Sequence, residues 1–163
     1  MPHPNPAPTG PGLIDPRGPR FGAAITSVLL TVVLILGPGS VPGLILLLVQ
    51  TLAFASGSLL GLQAQPWGLI YRRLVRPRLG APAELEASEP PQFAQSVGLV
   101  FAVAGLAGWV FNLALLFWLS IGFALVAALL NTLFDFCLGC ELYLLGKRLA
   151  AKPAIGQADG AQS

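Results

Sequence analysis

Charge is what this sequence has least of. Only 10% of its 163 residues are Asp, Glu, Lys or Arg, against roughly 25% in soluble domains. With 55% of the chain hydrophobic, that scarcity excludes an ordinary water-soluble domain and predicts a membrane protein. The net charge of +2 is too small for a nucleic-acid binder. Histidine occurs once, as His3, and cysteine twice, as Cys137 and Cys140. Two cysteines exclude a disulfide framework. A zinc site takes about four ligands, so one chain offers no metal site, and none is expected. The sequence also lacks a nucleotide-binding loop and a heme motif, so no cofactor is expected. Its first residues, Met1-Pro2-His3-Pro4-Asn5-Pro6-Ala7-Pro8, have no basic region leading into an apolar run. They predict a flexible tail over 1–13 and no secretory signal.

Hydrophobic runs are what the sequence has in abundance. By length it is one domain, expected over 14–149, with a second polar tail over 150–163. The fold class expected is all-α, a bundle of four transmembrane helices. Spans are read at 21–36, 44–62, 93–111 and 118–140. Residues 93–145 contain no Lys or Arg. As one helix they would run ~80 Å, far beyond a hydrocarbon core of ~30 Å. The stretch must therefore reverse, and Asn112 to Trp118 is the expected place, with Trp109 and Trp118 as interface anchors. Gly57 and Gly61 form a small-xxx-small pattern that is expected to face another helix, and this leaves room for a homo-oligomer.

The basic residues give an orientation. All nine Lys and Arg fall in the N-terminal segment, in the polar stretch between the second and third runs, or at the C-terminus. The two other turns have none. Four spans with both termini cytoplasmic satisfy the positive-inside rule.

The chemistry-bearing residues gather near the end, in Asn131 to Tyr143. If the fourth helix continues through this segment, Cys137, Cys140 and Glu141 share one face. Their Cα spacing is then within bridging range, and the thiols lie at the cytoplasmic interface, where a permanent disulfide is not expected. Asn131 and Asp135 share a partly overlapping side. Four readings stay open for the cysteines: simple packing, a redox or sulfur-carrying thiol pair, a metal site shared across a dimer, and lipid contact or acylation of Cys140. In the thiol reading Asp135 or Glu141 moves the proton. Asp135 also reads as solvated, or paired with Lys147 or Arg73. Gly139 either admits a neighbouring helix or substrate, or ends the helix. Arg17 and Arg20, beside a helix N-terminus, read as interface anchors or as an anion site.

Several blocks together resemble a known family. They are Asp15-Pro16-Arg17-Gly18-Pro19-Arg20-Phe21, Arg76-Pro77-Arg78, Pro90-Pro91-Gln92-Phe93-Ala94-Gln95, Leu130-Asn131 and Cys137-Leu138-Gly139-Cys140-Glu141-Leu142-Tyr143. The sequence resembles an uncharacterised bacterial membrane family, common in actinobacteria and catalogued as a domain of unknown function. The resemblance runs from about Ile14 to Leu145, and the Cys-x-Gly-Cys block is its most specific part. It implies a four-helix protein of the bacterial inner membrane and a thioredoxin-like or sulfurtransferase partner. It carries over no catalytic residue. The functional expectation is a thiol-based redox or sulfur-transfer component in contact with membrane lipid. Its rivals are a scaffold subunit, and a small transporter of a sulfur-containing anion with Asn131 and Asp135 lining its path.

Overall fold

The computed structural model describes residues 12–151. His3, Lys152 and most of the two expected tails lie outside the described residues. The first element, β1 (Leu13–Ile14), is only two residues long. It leads into the first long helix, α1 (Arg17–Leu36). Asp15 starts α1 by accepting the backbone N–H of Arg17 at 3.0 Å. Gly37 stops it with a φ of 71°, a conformation that glycine adopts without a Cβ penalty.

The turn to α2 (Val41–Leu59) is equally explicit. Ser40 accepts from the Gly43 N–H at 3.3 Å, and Pro42 occupies the first turn, where a missing N–H costs nothing. After α2 come α3 (Pro66–Ile70), one wider π-helical turn (Tyr71–Val75) and α4 (Arg76–Leu79). A second short strand, β2 (Glu86–Ala87), pairs antiparallel with β1, Leu13 opposite Ala87 and Ile14 opposite Glu86. This clasp ties the chain's start to the loop ahead of the third long helix.

That helix, α5 (Glu89–Val110), opens with Glu89-Pro90-Pro91, an acid and prolines where a helix N-terminus favours them. It reverses into α6 (Ala114–Phe134) through Asn112, whose φ is 54°. The reversal thus falls inside the stretch the sequence marked for it. The last helix is α7 (Leu138–Ala150).

Four helices, α1, α2, α5 and α6, are each long and apolar enough to cross a membrane. At ~1.5 Å per residue, 19 to 22 residues reach roughly across the hydrocarbon core. They form an all-α four-helix bundle in which α1 packs on α2 and α6, and α5 packs on the same two helices. The core between them is Leu30, Val33, Leu47, Phe54, Ala102, Phe117, Ile121 and Ala124. Large apolar side chains also cover the outside, Ile35, Leu52, Val100 and Leu115 among them. Helices apolar all round belong in lipid. The chain is a multi-pass membrane protein.

Two expectations need correction. The fourth span does not run unbroken to residue 140: α6 ends at Phe134. Gly61 does not face a helix. It lies beyond α2 with φ +91° and open space around it, whereas a Cβ on Gly57 would fall 2.9 Å from Gln95 Cγ. Gly57 on α2 and Gly98 on α5, whose added Cβ would fall 2.6 Å from the Phe54 ring, are where α2 and α5 come close.

Candidate functional site

The antiparallel bundle has two unlike ends. One holds the turns around Gly37 and Asn112, which carry no charge. The other gathers the start of α1, the α2–α5 connection, and the junction of α6 with α7. All described Lys and Arg lie there.

Asp15 organises one side of that end. Its carboxylate accepts from Arg17 Nε and Nη2 at 3.0 Å each, and from the Tyr71 hydroxyl at 2.9 Å. Arg17 also donates to the Gly80 carbonyl at 3.1 Å. Tyr71 belongs to the π-helical turn, so this cluster locks the α3–α4 segment to α1. Burial pushes the Asp15 carboxyl up. The bonds from the Arg17 side chain and backbone and from Tyr71 outweigh it and hold the acid below its ordinary value. Burial and the bond to Asp15 push the Tyr71 hydroxyl up, so it stays a donor.

A folded-state value below the unfolded one gives stability that is present above the unfolded pKa and lost as pH falls through the folded one. Thermal stability in detergent is therefore expected to hold down to about pH 4, the ordinary Asp range, and to fall below it. Asp15→Asn should lower the neutral plateau and make the acid limb shallower. An unchanged profile in that variant would show that the cluster does not support the fold.

The other side of the same end is a break in the chain. Asp135 takes a left-handed conformation with φ 56°, tolerated by Asp better than by most residues. The Phe136 N–H then reaches back to the Leu130 carbonyl at 3.2 Å, so the left-handed residue turns the chain back over the end of α6 and satisfies one of its last carbonyls. Arg20 caps the end of α6, donating Nε to the Thr132 carbonyl at 3.3 Å and lying 3.6 Å from Asp135. The Asp135 partner is thus Arg20, not Lys147 or Arg73. Lys147 pairs instead with Glu89 at 3.2 Å, and Tyr143 donates to the same carboxylate at 2.8 Å. These exposed pairs orient α7 more than they stabilise it.

The break makes Cys137 the N-cap of α7. Its Sγ accepts the backbone N–H of Cys140 at 3.3 Å. The two Cα atoms are 5.2 Å apart, and the two sulfurs are bonded to each other. The expectation of one continuous helix through this segment is corrected, while the bridging range expected for the two cysteines is what the structure shows. The sulfurs meet across a helix start. Glu141 is exposed in the first turn of α7. Among the described residues no group of three or more His, Cys, Asp or Glu could hold a metal ion.

A cavity of about 260 Å³ runs from this break into the bundle. Cys137, Asn131 and Gly139 line one end, and Thr26, Phe54, Phe101 and Phe123 line the rest. The structure therefore brings Cys137 and Asn131 to one space. It places Arg17 outside this space, in the Asp15 cluster. Arg20 and Asp135 sit beside the break.

The sequence reading missed several polar residues. Gln50, fully buried, donates to Thr26 Oγ1 at 3.1 Å. Gln65 donates to Gln95 Oε1 at 3.0 Å, and Gln92 to the Ser58 carbonyl at 3.1 Å. Ser58 and Ser96 share a hydrogen at 2.7 Å. The signal was present: uncharged amides inside apolar runs are interhelical glue.

Neither a curated protein nor a solved structure matches the chain. The model of one family does, over residues 14–148, which is most of the sequence. The chain belongs to that family, the domain of unknown function DUF4395.

Proposed function

We propose that this protein is a thiol–disulfide component of the bacterial inner membrane, and that Cys137 and Cys140 are its working couple. One observation carries the reading. The pair stands at a helix start, with the Cys140 N–H on Cys137 Sγ and with Cys137 bordering a cavity inside the bundle.

The geometry gives the two sulfurs different work. A thiolate at a helix N-terminus is stabilised by the N–H groups and by the helix dipole. Cys137 is therefore the better leaving group, and the more acidic thiol of the reduced pair. A thiolate of a thioredoxin-like partner attacks Cys140 Sγ. The Cys137–Cys140 bond breaks, and Cys137 leaves as a thiolate. The partner's second thiol then attacks the mixed disulfide and frees Cys140. The partner ends oxidised and the pair reduced, by two electrons and two protons. With both termini cytoplasmic, as the clustering of basic residues at this end supports, the exchange faces the cytoplasm.

Membrane vesicles test this. After mild reduction, a membrane-impermeant maleimide should label Cys140 in inside-out vesicles and not in right-side-out ones. Its rate should rise with pH. The Cys140→Ser variant should report Cys137 with a midpoint below the ordinary thiol value of about 8.5. Thiols that react only after denaturation would mean packing cysteines and would end the proposal.

A further inference from the structure

The cavity beside Cys137 needs its own account. It lies within the part of the bundle read as membrane-embedded, between α1, α2, α5 and α6, with α7 closing one end. Its walls are aromatic and aliphatic: Phe54, Phe101, Phe123, Ala124 and Leu142. Lining side chains carry no charge. Polar groups are few, and two are amides. Gln95 uses its carbonyl oxygen to accept from Gln65, which leaves its NH2 group to donate. Asn131 supplies a second amide beside the thiol end. Phe123, midway along the spanning helix α6, borders the cavity and is more than half exposed, at 59%, so the rim on that side faces lipid.

We infer that this cavity is the seat of a quinone-class carrier from the bilayer, which reoxidises the Cys137–Cys140 dithiol. The inference rests on the thiol reading above. Four physical requirements converge on this class. The occupant must take two electrons and two protons, because that is the difference between a dithiol and a disulfide. It must be uncharged, since an ion in an apolar wall of this kind would lose its hydration without a partner. It must come from the lipid phase, where the rim opens. It must carry acceptor oxygens, because the amides of Gln95 and Asn131 offer N–H donors. Size agrees. An apolar cavity of about 150 Å³ takes up a benzene molecule, so about 260 Å³ accommodates one substituted ring, with its tail left in lipid.

The step balances. The Cys137 thiolate adds to a ring carbon of the quinone, forming a sulfur–carbon bond. The Cys140 thiolate attacks Cys137 Sγ, the disulfide forms, and the sulfur–carbon bond breaks with its electron pair kept by the ring. The ring takes up the two protons that the thiols lost and leaves as the hydroquinone. Two thiols and one quinone give one disulfide and one hydroquinone. Cys137 suits the first role because it is the sulfur on the cavity wall, which Cys140 does not line.

The test uses the full chain, reduced and freed of reductant, in lipid nanodiscs. A short-tailed ubiquinone analogue is added anaerobically, and loss of the quinone absorbance and of protein thiols is followed together. One quinone should be consumed per disulfide formed, at a rate that saturates with quinone. Ala127→Phe places a ring in the cavity and should slow the reaction by about tenfold or more. Asn131→Leu should raise the half-saturating concentration. In both variants, oxidation of the dithiol by a water-soluble aromatic disulfide should match the parent, which also certifies the fold. If the soluble disulfide oxidises the pair while the quinone does not, the carrier is wrong and the thiol reading stands. If neither oxidant acts, the thiol reading itself fails. A quinone rate that never saturates and is unchanged in both variants would place the reaction in open solvent and overturn the cavity as its seat.

Discussion

Gly108→Ala is expected to destabilise the bundle by roughly 1–3 kcal/mol, the usual range for overpacking. By helix propensity alone alanine would gain up to about 1 kcal/mol over glycine, so the clash must exceed that gain. It does so because of what the new methyl would meet. A Cβ on Gly108 falls 2.6 Å from the Phe117 backbone nitrogen and 2.9 Å from its Cα. Those atoms belong to the first turn of α6 and cannot rotate away. The α5–α6 turn cannot open either without breaking the bond from the Leu113 N–H to the Gly108 carbonyl, 2.8 Å long. Gly105→Ala is the matched control. Its methyl would meet the Ile121 side chain rather than backbone, and a side chain yields at lower cost than a helix backbone, so its effect should be smaller than that of Gly108→Ala. Thermal unfolding in detergent should separate the two by several degrees, since about 1 kcal/mol corresponds to ~2–4 °C in a chain of this size. Equal melting temperatures would mean that α5 and α6 do not approach this closely.

How legible this arrangement was depends on the scale of the feature. Four apolar runs and a forced reversal in residues 93–145 follow from hydropathy and bilayer thickness, and the reversal at Asn112 is where the structure turns. The break at Asp135 was not legible as a break. Phe134, Phe136 and Leu138 continue the apolar composition, and a single acid in an apolar run reads first as a functional group. What ends the helix is backbone geometry, a left-handed residue and a bond from Phe136 back to Leu130, and many residue types at that position would still have looked helical. Gly61 failed for a related reason. The Gly57–Gly61 spacing fits a packing motif, but α2 ends at Leu59, so only Gly57 stands on the helix. The Asp15–Arg17–Tyr71 cluster was half visible. The acid and the arginine are neighbours in sequence, while Tyr71 lies 56 residues away and only the tertiary fold delivers it. The thiol pair was found because cysteine is rare here, although its place as a helix start was not.

Gly139→Ala should detach α7 from the bundle, and with it the wall that closes the thiol end of the cavity. A Cβ on Gly139 would lie 2.5 Å from Ala94 Cβ and 2.6 Å from Ala94 Cα. Ala94 sits in the second turn of α5, so neither helix can yield without moving as a whole. The propensity gain is small because Gly139 is the second residue of α7, at a helix end that frays in any case. Once the backbones separate, the interactions that depend on their closeness go too. These are the Phe93–Tyr143 ring pair at 5.7 Å and the Tyr143 and Lys147 bonds to Glu89. The loss should be local. Hydrogen exchange in α7 should rise by about tenfold for each ~1.4 kcal/mol of docking lost, while α1, α2 and the α5–α6 hairpin keep their protection. Adding Ala94→Gly should restore part of it, because the clash between the two methyl groups disappears while the new methyl still crowds the α5 backbone. The thiol chemistry gives the decisive reading. Cys137 and Cys140 remain adjacent at the start of α7, so oxidation by a soluble disulfide should survive, whereas Cys137 loses its fixed place on the cavity wall and its reaction with a quinone should slow. An α7 as protected as in the parent would show that Gly139 is not what lets this helix reach α5.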